Sequence, residues 1–334
     1  MDVKVLKITG VKFYSLLNSE MDYGFTDNID PANGQQQQQH PCHAIHKFYS
    51  SGCFYFSREK DLTLNSQKRS GVTYDETAIN FWKNIDERFF WNNYLLKDLI
   101  HVQSLNPSYI DLNRLLVPIL QGFFEIQEVN LFGKLVKTAL ISRVSRERTG
   151  TRFNTRGIDD NGSVANFVET EQIIYVDEIC ASYVQIRGSV PVFWEQKGLQ
   201  VGGHSFELSR GTTATAPAFA RHFEQQFSHY GNIAIVNLLS PKSESSLLNA
   251  YVHQIDKFKN PKVSYTAFDF NSQIKNHNYD NLSLLLRGIH ENISKFQFFL
   301  ANMTTGEVFM KQTGVFRVNC VDCLDRFDNF NFQF

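Results

Sequence analysis

The stretch Arg317-Val318-Asn319-Cys320-Val321-Asp322-Cys323-Leu324-Asp325-Arg326 decides how the rest of this chain is read. It sets a cysteine and an arginine six positions apart, enclosing five residues, directly after a short β-rich run from Gly314 to Asn319. That spacing suits a strand ending in a tight loop whose backbone N–H groups turn inward around one anion. Such a nest binds phosphate, and a helix starting near the arginine adds the positive end of its dipole. Cys320 then stands at the base of the loop, where the same field lowers its pKa and favours the thiolate, the attacking species. Arg326 offers a planar fork that grips two phosphate oxygens. Asn319, Val321, Cys323, Leu324 and Asp325 complete the surround of the anion. The chemistry implied is hydrolysis of a phosphate ester through a phosphocysteine, with no metal or organic cofactor. The leaving oxygen needs a proton from a carboxylic acid, and Asp322 and Asp325 are the carboxylates inside the loop. Loop aspartates also hold turns by accepting backbone N–H bonds, which is the alternative role for either.

Cys323 makes a Cys-x-x-Cys with Cys320. Zinc needs four ligands, and no second pair stands at a suitable spacing, so Cys323 is read as loop packing. A reversible Cys320–Cys323 disulfide that shields the nucleophile is the other expectation.

At 334 residues the chain is long enough for two cores, and 42% hydrophobic with 20% charged residues is a globular composition. A net charge of −1 argues against a polyelectrolyte that binds nucleic acid, while leaving room for a local basic face. Arg143, Arg146, Arg148, Arg152 and Arg156 crowd one segment with few acidic neighbours, and are expected to form such a face toward anionic lipid or substrate phosphates. Five cysteines without regular spacing do not make a disulfide framework, which points to a reducing compartment. No stretch approaches the ~20 apolar residues of a membrane span, so the chain itself reads as soluble and cytosolic.

Strands are expected at Val3–Ile8, Phe54–Phe56, Thr138–Val144, Gln172–Val176, Tyr183–Arg187, Ile233–Leu239 and Lys262–Phe270, several of them apolar on both faces and therefore central. Tyr74–Ile100 mixes helical spacing with aromatic crowding and predicts one or two helices. Phe219, Phe223 and Phe227 repeat every four residues, with Gly231 as the stop. Leu247 to Ile255 and Leu282 to Phe296 carry further helical stripes. The insert at about 27–40, with its five consecutive glutamines, reads as a disordered loop. Alternating strands and helices give an α/β unit whose last strand feeds the phosphate loop.

The string Arg-x-Asn-Cys-x-Asp-Cys-Leu-Asp-Arg resembles the signature of the Sac phosphoinositide phosphatase family. Further segments agree with that family in order: Asp86–Asn92, Val117–Gly122, Gly150–Gln172, Arg187–Pro191 with Trp194, and Phe268–Phe270. The resemblance is nearest to the endoplasmic-reticulum-anchored type. It implies an α+β / α/β fold, with an N-terminal β-rich Sac subdomain over 1–115 and an α/β cysteine-phosphatase-like catalytic domain over 116–334. It favours Asp322 as the acid and puts Arg187 near the catalytic face. It also implies a phosphoinositide headgroup at a membrane surface as partner, phosphatidylinositol 4-phosphate first and the 3-phosphate second. The compartment implied is the cytosolic face of endoplasmic reticulum or Golgi membranes. Asn166, Glu169 and Glu171 fall in a matching run and are expected to brace the loop.

After its arginine the family continues with Thr-Asn and a helix, whereas this sequence runs Phe327-Asp328-Asn329-Phe330 to Phe334. Phe327 replaces a hydroxyl that hydrogen-bonds the thiolate, and the sequence is expected to be truncated at this end. An impaired phosphoinositide-binding or scaffolding module is the alternative function. A protein-tyrosine phosphatase shares only the Cys-x5-Arg.

Overall fold

The computed structural model describes residues 4–14, 42–72, 84–105, 112, 115–150, 154–197, 205–274, 280–319 and 321. The Gln-rich insert and Arg152, Cys320, Asp322, Cys323, Leu324, Asp325 and Arg326 lie outside them.

The strands, in chain order, are β1 (Leu6–Lys7), β2 (Phe54–Phe56), β3 (Leu120–Leu131), β4 (Lys134–Val144), β5 (Val168–Val176) and β6 (Ile179–Arg187). Then come β7 (Trp194–Lys197), β8 (Ser205–Leu208), β9 (Asn232–Asn237), β10 (Val263–Ala267), β11 (Phe299–Asn302), β12 (Val308–Met310) and β13 (Gly314–Asn319). The helices are α1 (His43–Tyr49), α2 (Ser66–Ser70), α3 (Asn93–Leu105), α4 (Thr212–Tyr230), α5 (Ser245–Phe258), α6 (Phe270–Gln273) and α7 (Leu282–Phe296).

One mixed sheet runs β1-β2-β3-β4-β5-β6-β13-β9-β10. Strands β1 to β6 are antiparallel, and β6, β13, β9 and β10 are parallel to one another. Strand β6 joins the two halves by splitting its outer edge. Its first four residues pair antiparallel with β11, and its last two, Ile186 and Arg187, pair parallel with Arg317 and Val318 of β13. The sheet therefore takes strands from both sides of residue 115.

Period-two alternation sends the side chains of β9 and β13 into two cores. Ile233, Ile235 and Val315 pack with Phe219, Phe223, Leu247 and Tyr251 of α4 and α5. Ala234, Val236, Phe316 and Val318 pack with Leu282, Leu285, Ile289 and Phe296 of α7. Helices on both faces are what parallel strands need, and they explain why β13 is buried at all six positions.

The Phe219, Phe223, Phe227 repeat does lie on one helix face, where Phe219 and Phe223 rings stand 4.8 Å apart. The strand expected over Lys262–Phe270 ends instead at Ala267. Asp269 accepts the Ser272 N–H and starts the short α6, so Phe270 belongs to a helix. The helical reading of Tyr74–Ile100 is met in part, by a 3-10 turn at Glu87–Phe89 and by α3, while 73–83 lie outside the described residues. Strand β3 was not anticipated. It forms a long hairpin with β4 through Phe132 and Gly133, both at positive φ (53° and 81°), the geometry of a two-residue hairpin turn.

Gly231 ends α4 at φ 78°, and a Cβ there would meet the Thr313 carbonyl oxygen at 2.6 Å. This turn delivers the chain from α4 into β9 beside β13. Gly231→Ala is expected to lower unfolding free energy by about 1–3 kcal/mol, read as a reduced urea midpoint with unchanged slope.

Candidate active site

The carboxyl end of β13 lies between the carboxyl ends of β6 and β9, where open parallel sheets bind ligands. Three polar side chains occupy that end on the face toward α4: Arg317 and Asn319 of β13 and Asn237 of β9. Arg317 and Asn319 are fully buried, which a charged or amide side chain tolerates only with partners. Arg317 Nε donates to His222 Nε2 at 3.0 Å, and its Nη2 donates to the Ser189 carbonyl at 2.9 Å. Nδ1 of His222 lies 2.9 Å from the Gly162 carbonyl, which can only accept, so Nδ1 carries the proton and Nε2 is the acceptor. Burial, and then the Arg317 charge, hold the His222 pKa well below its ordinary value, and the ring is neutral. Among the described residues Arg317 meets no carboxylate within ion-pair distance.

Asn319 Nδ2 donates to Asn237 Oδ1 at 2.6 Å, and Asn237 Nδ2 donates to the Tyr265 hydroxyl at 2.8 Å. On the backbone, Leu238 N–H donates to the Asn319 carbonyl at 3.0 Å. Beyond position 320, Arg156 Nη1 donates to the Val321 carbonyl at 2.9 Å, while its Nη2 bonds Gln196 Oε1 at 2.8 Å and its guanidinium stands over Trp194. The residues on either side of position 320 are thus each anchored by a buried side chain. Arg187 ends β6 opposite Val318, next to the same edge.

Among the described residues, the arginines expected to form a basic face turn to internal carbonyls and carboxylates, while Arg152 lies outside them. Arg143 is fully buried, because register pairs it with Glu169 on β5. Its Nη1 reaches Glu169 Oε1 at 3.0 Å and its Nη2 reaches Glu171 Oε2 at 2.7 Å. The same guanidinium donates to the Leu62 and Leu64 carbonyls at 2.7 and 3.1 Å, and Glu171 accepts the Ser66 N–H at 2.7 Å. Arg156 is buried as described, Arg148 donates to the Gly157 and Arg156 carbonyls, and Arg146 donates to the Glu87 carbonyl. Arg143 and Arg156 are internal fasteners, whereas half-buried Arg148 and Arg146 tie the surface loops to the backbone. Glu169 and Glu171 brace the seat of residues 61–66 on the sheet, and Asn166 sits at φ 55° in the turn before β5.

A second cluster adjoins this one. Asp86 takes both Nε and Nη2 of Arg88 at 2.9 and 2.7 Å, and Lys68 at 2.9 Å. Burial works against the Asp86 carboxylate, yet Arg88 and Lys68 hold its pKa well below the usual range. Tyr230 donates to Glu169 Oε2 at 2.6 Å and links the clusters.

Sequence reasoning missed His222, Asn237 and Tyr265, and it named Ser189 only as part of the Arg187–Pro191 segment. His222 was masked by the phenylalanine repeat around it. Its distinguishing signal is the pair of polar residues His222 and Gln226 on the same buried helical face as Phe219 and Phe223.

With this geometry in hand, the comparisons give the class. Residues 1–275 match the model of the SacI homology domain, and the chain belongs to that family. It is 34% identical to inositol-1,4,5-trisphosphate 5-phosphatase 1 of Schizosaccharomyces pombe over 97% of this chain and 31% of that protein. Against phosphatidylinositide phosphatase SAC2 of Mus musculus the identity is 35%, covering 84% of this chain and 26% of the relative. Against human synaptojanin-2 it is 38%, covering 97% and 20%. The chain thus spans a fifth to a third of the length of these relatives. Among the described residues no helix is long and apolar enough to cross a membrane.

Removing Arg143 strands two buried carboxylates, so Arg143→Met is expected to cost about 3–5 kcal/mol in chemical denaturation. Asp61, whose carboxylate accepts the Thr63 N–H and hydroxyl, has its pKa pushed up by burial to about 6. A raised carboxylate pKa means the folded state holds the proton more tightly. The stability that this proton contributes is full below about pH 4 and is lost as pH rises through 6. Asp61→Asn cannot lose it. From pH 4 to pH 7 the variant is expected to gain on wild type by about 1–3 kcal/mol, measured as the difference in unfolding free energy.

Proposed function

We propose that the chain carries a phosphoinositide phosphatase centre that removes a monoester phosphate from the inositol ring, phosphatidylinositol 4-phosphate first and the 3-phosphate second. Cys320 is the nucleophile, Arg326 the phosphate clamp and Asp322 the acid that protonates the leaving inositol oxygen. Asn319, Val321, Cys323, Leu324 and Asp325 form the loop around the anion, with Arg187 and Arg152 at its margin. The attacking thiolate forms a sulfur–phosphorus bond as the ring oxygen leaves and takes the Asp322 proton. Water, deprotonated by the same carboxylate, then releases inorganic phosphate and restores the thiolate.

The observation that carries this reading is the buried guanidinium of Arg317. Three residues before position 320 it brings a positive charge to the carboxyl end of a central parallel strand, with a neutral histidine and a carbonyl as its main partners. Such a charge is stabilised by an anion arriving at the strand end. The family and the printed names of the relatives, phosphatases of inositol phosphates and phosphoinositides, support the substrate class. A lipid substrate sets the working face against a membrane, at the endoplasmic reticulum or Golgi by the resemblance.

The test is phosphate release from short-chain phosphatidylinositol 4-phosphate with reductant and EDTA present. Release is expected to survive EDTA and to fall by about 10³-fold or more in Cys320→Ser. Release undiminished in that variant, or abolished by EDTA, overturns the cysteine mechanism. A folded chain that binds the lipid without releasing phosphate replaces it with the binding-module function.

A further inference from the structure

On β3, β4 and β5 three cross-strand rows share one face: Phe124–Ile141–Glu171, Ile126–Ala139–Ile173 and Glu128–Lys137–Tyr175. The segment around Leu62, held by Arg143, covers this face at the end nearest the carboxyl end of β13. Toward the hairpin turn the cover stops. A cavity of about 640 Å³ opens there, floored by Phe124, Ile126, Ala139, Ile141 and Ile173. That volume and that apolar floor are those of a small-molecule site.

Two cations enter it. Arg69 donates to the Asp61 carbonyl at 3.3 Å and to Ser66 Oγ at 3.2 Å, which fixes its guanidinium in the wall. The ammonium of half-buried Lys60, also in the lining, has no hydrogen bond or ion pair among the described residues. Burial, and then the Arg69 charge, push the Lys60 pKa down, so an anion beside this ammonium would favour its charged form. Of the other charges of the lining, two carboxylates are paired with lysines and the third is exposed to solvent. Glu128 pairs with Lys137 at 3.4 Å, Asp177 pairs with Lys134 at 3.0 Å, and exposed Glu178 meets Asn302 at 3.5 Å.

We infer that this groove is a second ligand site, which takes a single-chain amphiphile with one anionic head, of the fatty-acid type. The head meets Lys60 and Arg69, and the alkyl chain lies along Ile173, Ala139 and Ile126. A peptide is a poorer occupant, because a sheet face presents side chains and leaves the backbone groups of a peptide unpaired. A bilayer headgroup is poorer too, since both cations are half-buried and the head must enter the groove to reach them. The groove runs toward the end of the strands away from the carboxyl end of β13 and uses no residue of the proposed catalytic centre, so its test is independent of the proposed catalysis.

Calorimetric titration decides it, with laurate kept below its micellar concentration, beside dodecanol and acetate. Laurate is expected to bind one to one, dodecanol at least about 10-fold more weakly, and acetate not measurably. Lys60→Met is expected to weaken laurate by about 10-fold or more. Ile126→Trp, at a half-exposed position of the floor, is expected to block it by filling the groove, and serves if Lys60→Met does not fold. Absence of laurate binding, equal affinity for dodecanol, equal affinity in Lys60→Met or in folded Ile126→Trp, or binding seen only with lipid vesicles overturns the inference.

Discussion

A full positive charge buried on a central strand is the constraint around which this molecule is arranged. Arg317 lies in β13, between β6 and β9, where apolar side chains would pack at less cost. Its burial is made tolerable by a helix that places a neutral imidazole against Nε and by a loop that turns the Ser189 carbonyl toward Nη2. Each of those partners is itself held. His222 is fixed by the Gly162 carbonyl, and Ser189 Oγ accepts the Gly157 N–H at 2.9 Å. The two ends of the run from Gly157 to Ser189 are thereby tied together beside the Arg317 guanidinium.

The second organising contact is the double carboxylate grip on Arg143. It settles an N-terminal segment on the sheet, with the Arg143 guanidinium donating to the carbonyls of Leu62 and Leu64 and Glu171 accepting the Ser66 N–H. Through Tyr230 and Glu169 this grip connects to the end of α4, the helix that also carries His222. Arg143, Arg88 and Lys68 face Glu169, Glu171 and Asp86, so the clusters balance in charge inside the fold. This interior balance explains how arginine-rich motif segments coexist with a sheet that has an ordinary apolar core.

What the sequence made legible was what local pattern encodes. Strand β9 was largely apolar on both faces, β13 was legible as a short β-rich run, and the helical stripes of α4, α5 and α7 had the right period, so the parallel half of the sheet and its covering helices were readable. The β3 strand was not, because its alternation is blurred by Phe123 beside Phe124 and its turn carries Phe132 where Asn is the usual sign. The arginine segment misled for a different reason. Its neutralising carboxylates stand 26 and 28 residues further along the chain and meet Arg143 only through the β4–β5 register. Local charge counting cannot see a partner that pairing brings. The candidate loop was the most legible feature as a motif, and the supports of Arg317, Asn319 and Val321 were the least, since His222, Asn237 and Arg156 come from three distant segments.

The proposed function makes one central demand, that the sulfur of Cys320 attacks a phosphoryl group. The most direct measurement is to quench turnover of a phosphorus-labelled phosphatidylinositol 4-phosphate and locate the label on the chain by peptide mass spectrometry. The account requires a thiophosphate ester on Cys320, seen within a single turnover and lost as free phosphate appears. Label on any other residue, or turnover with oxygen from water reaching phosphate and no labelled cysteine at any time, would contradict it.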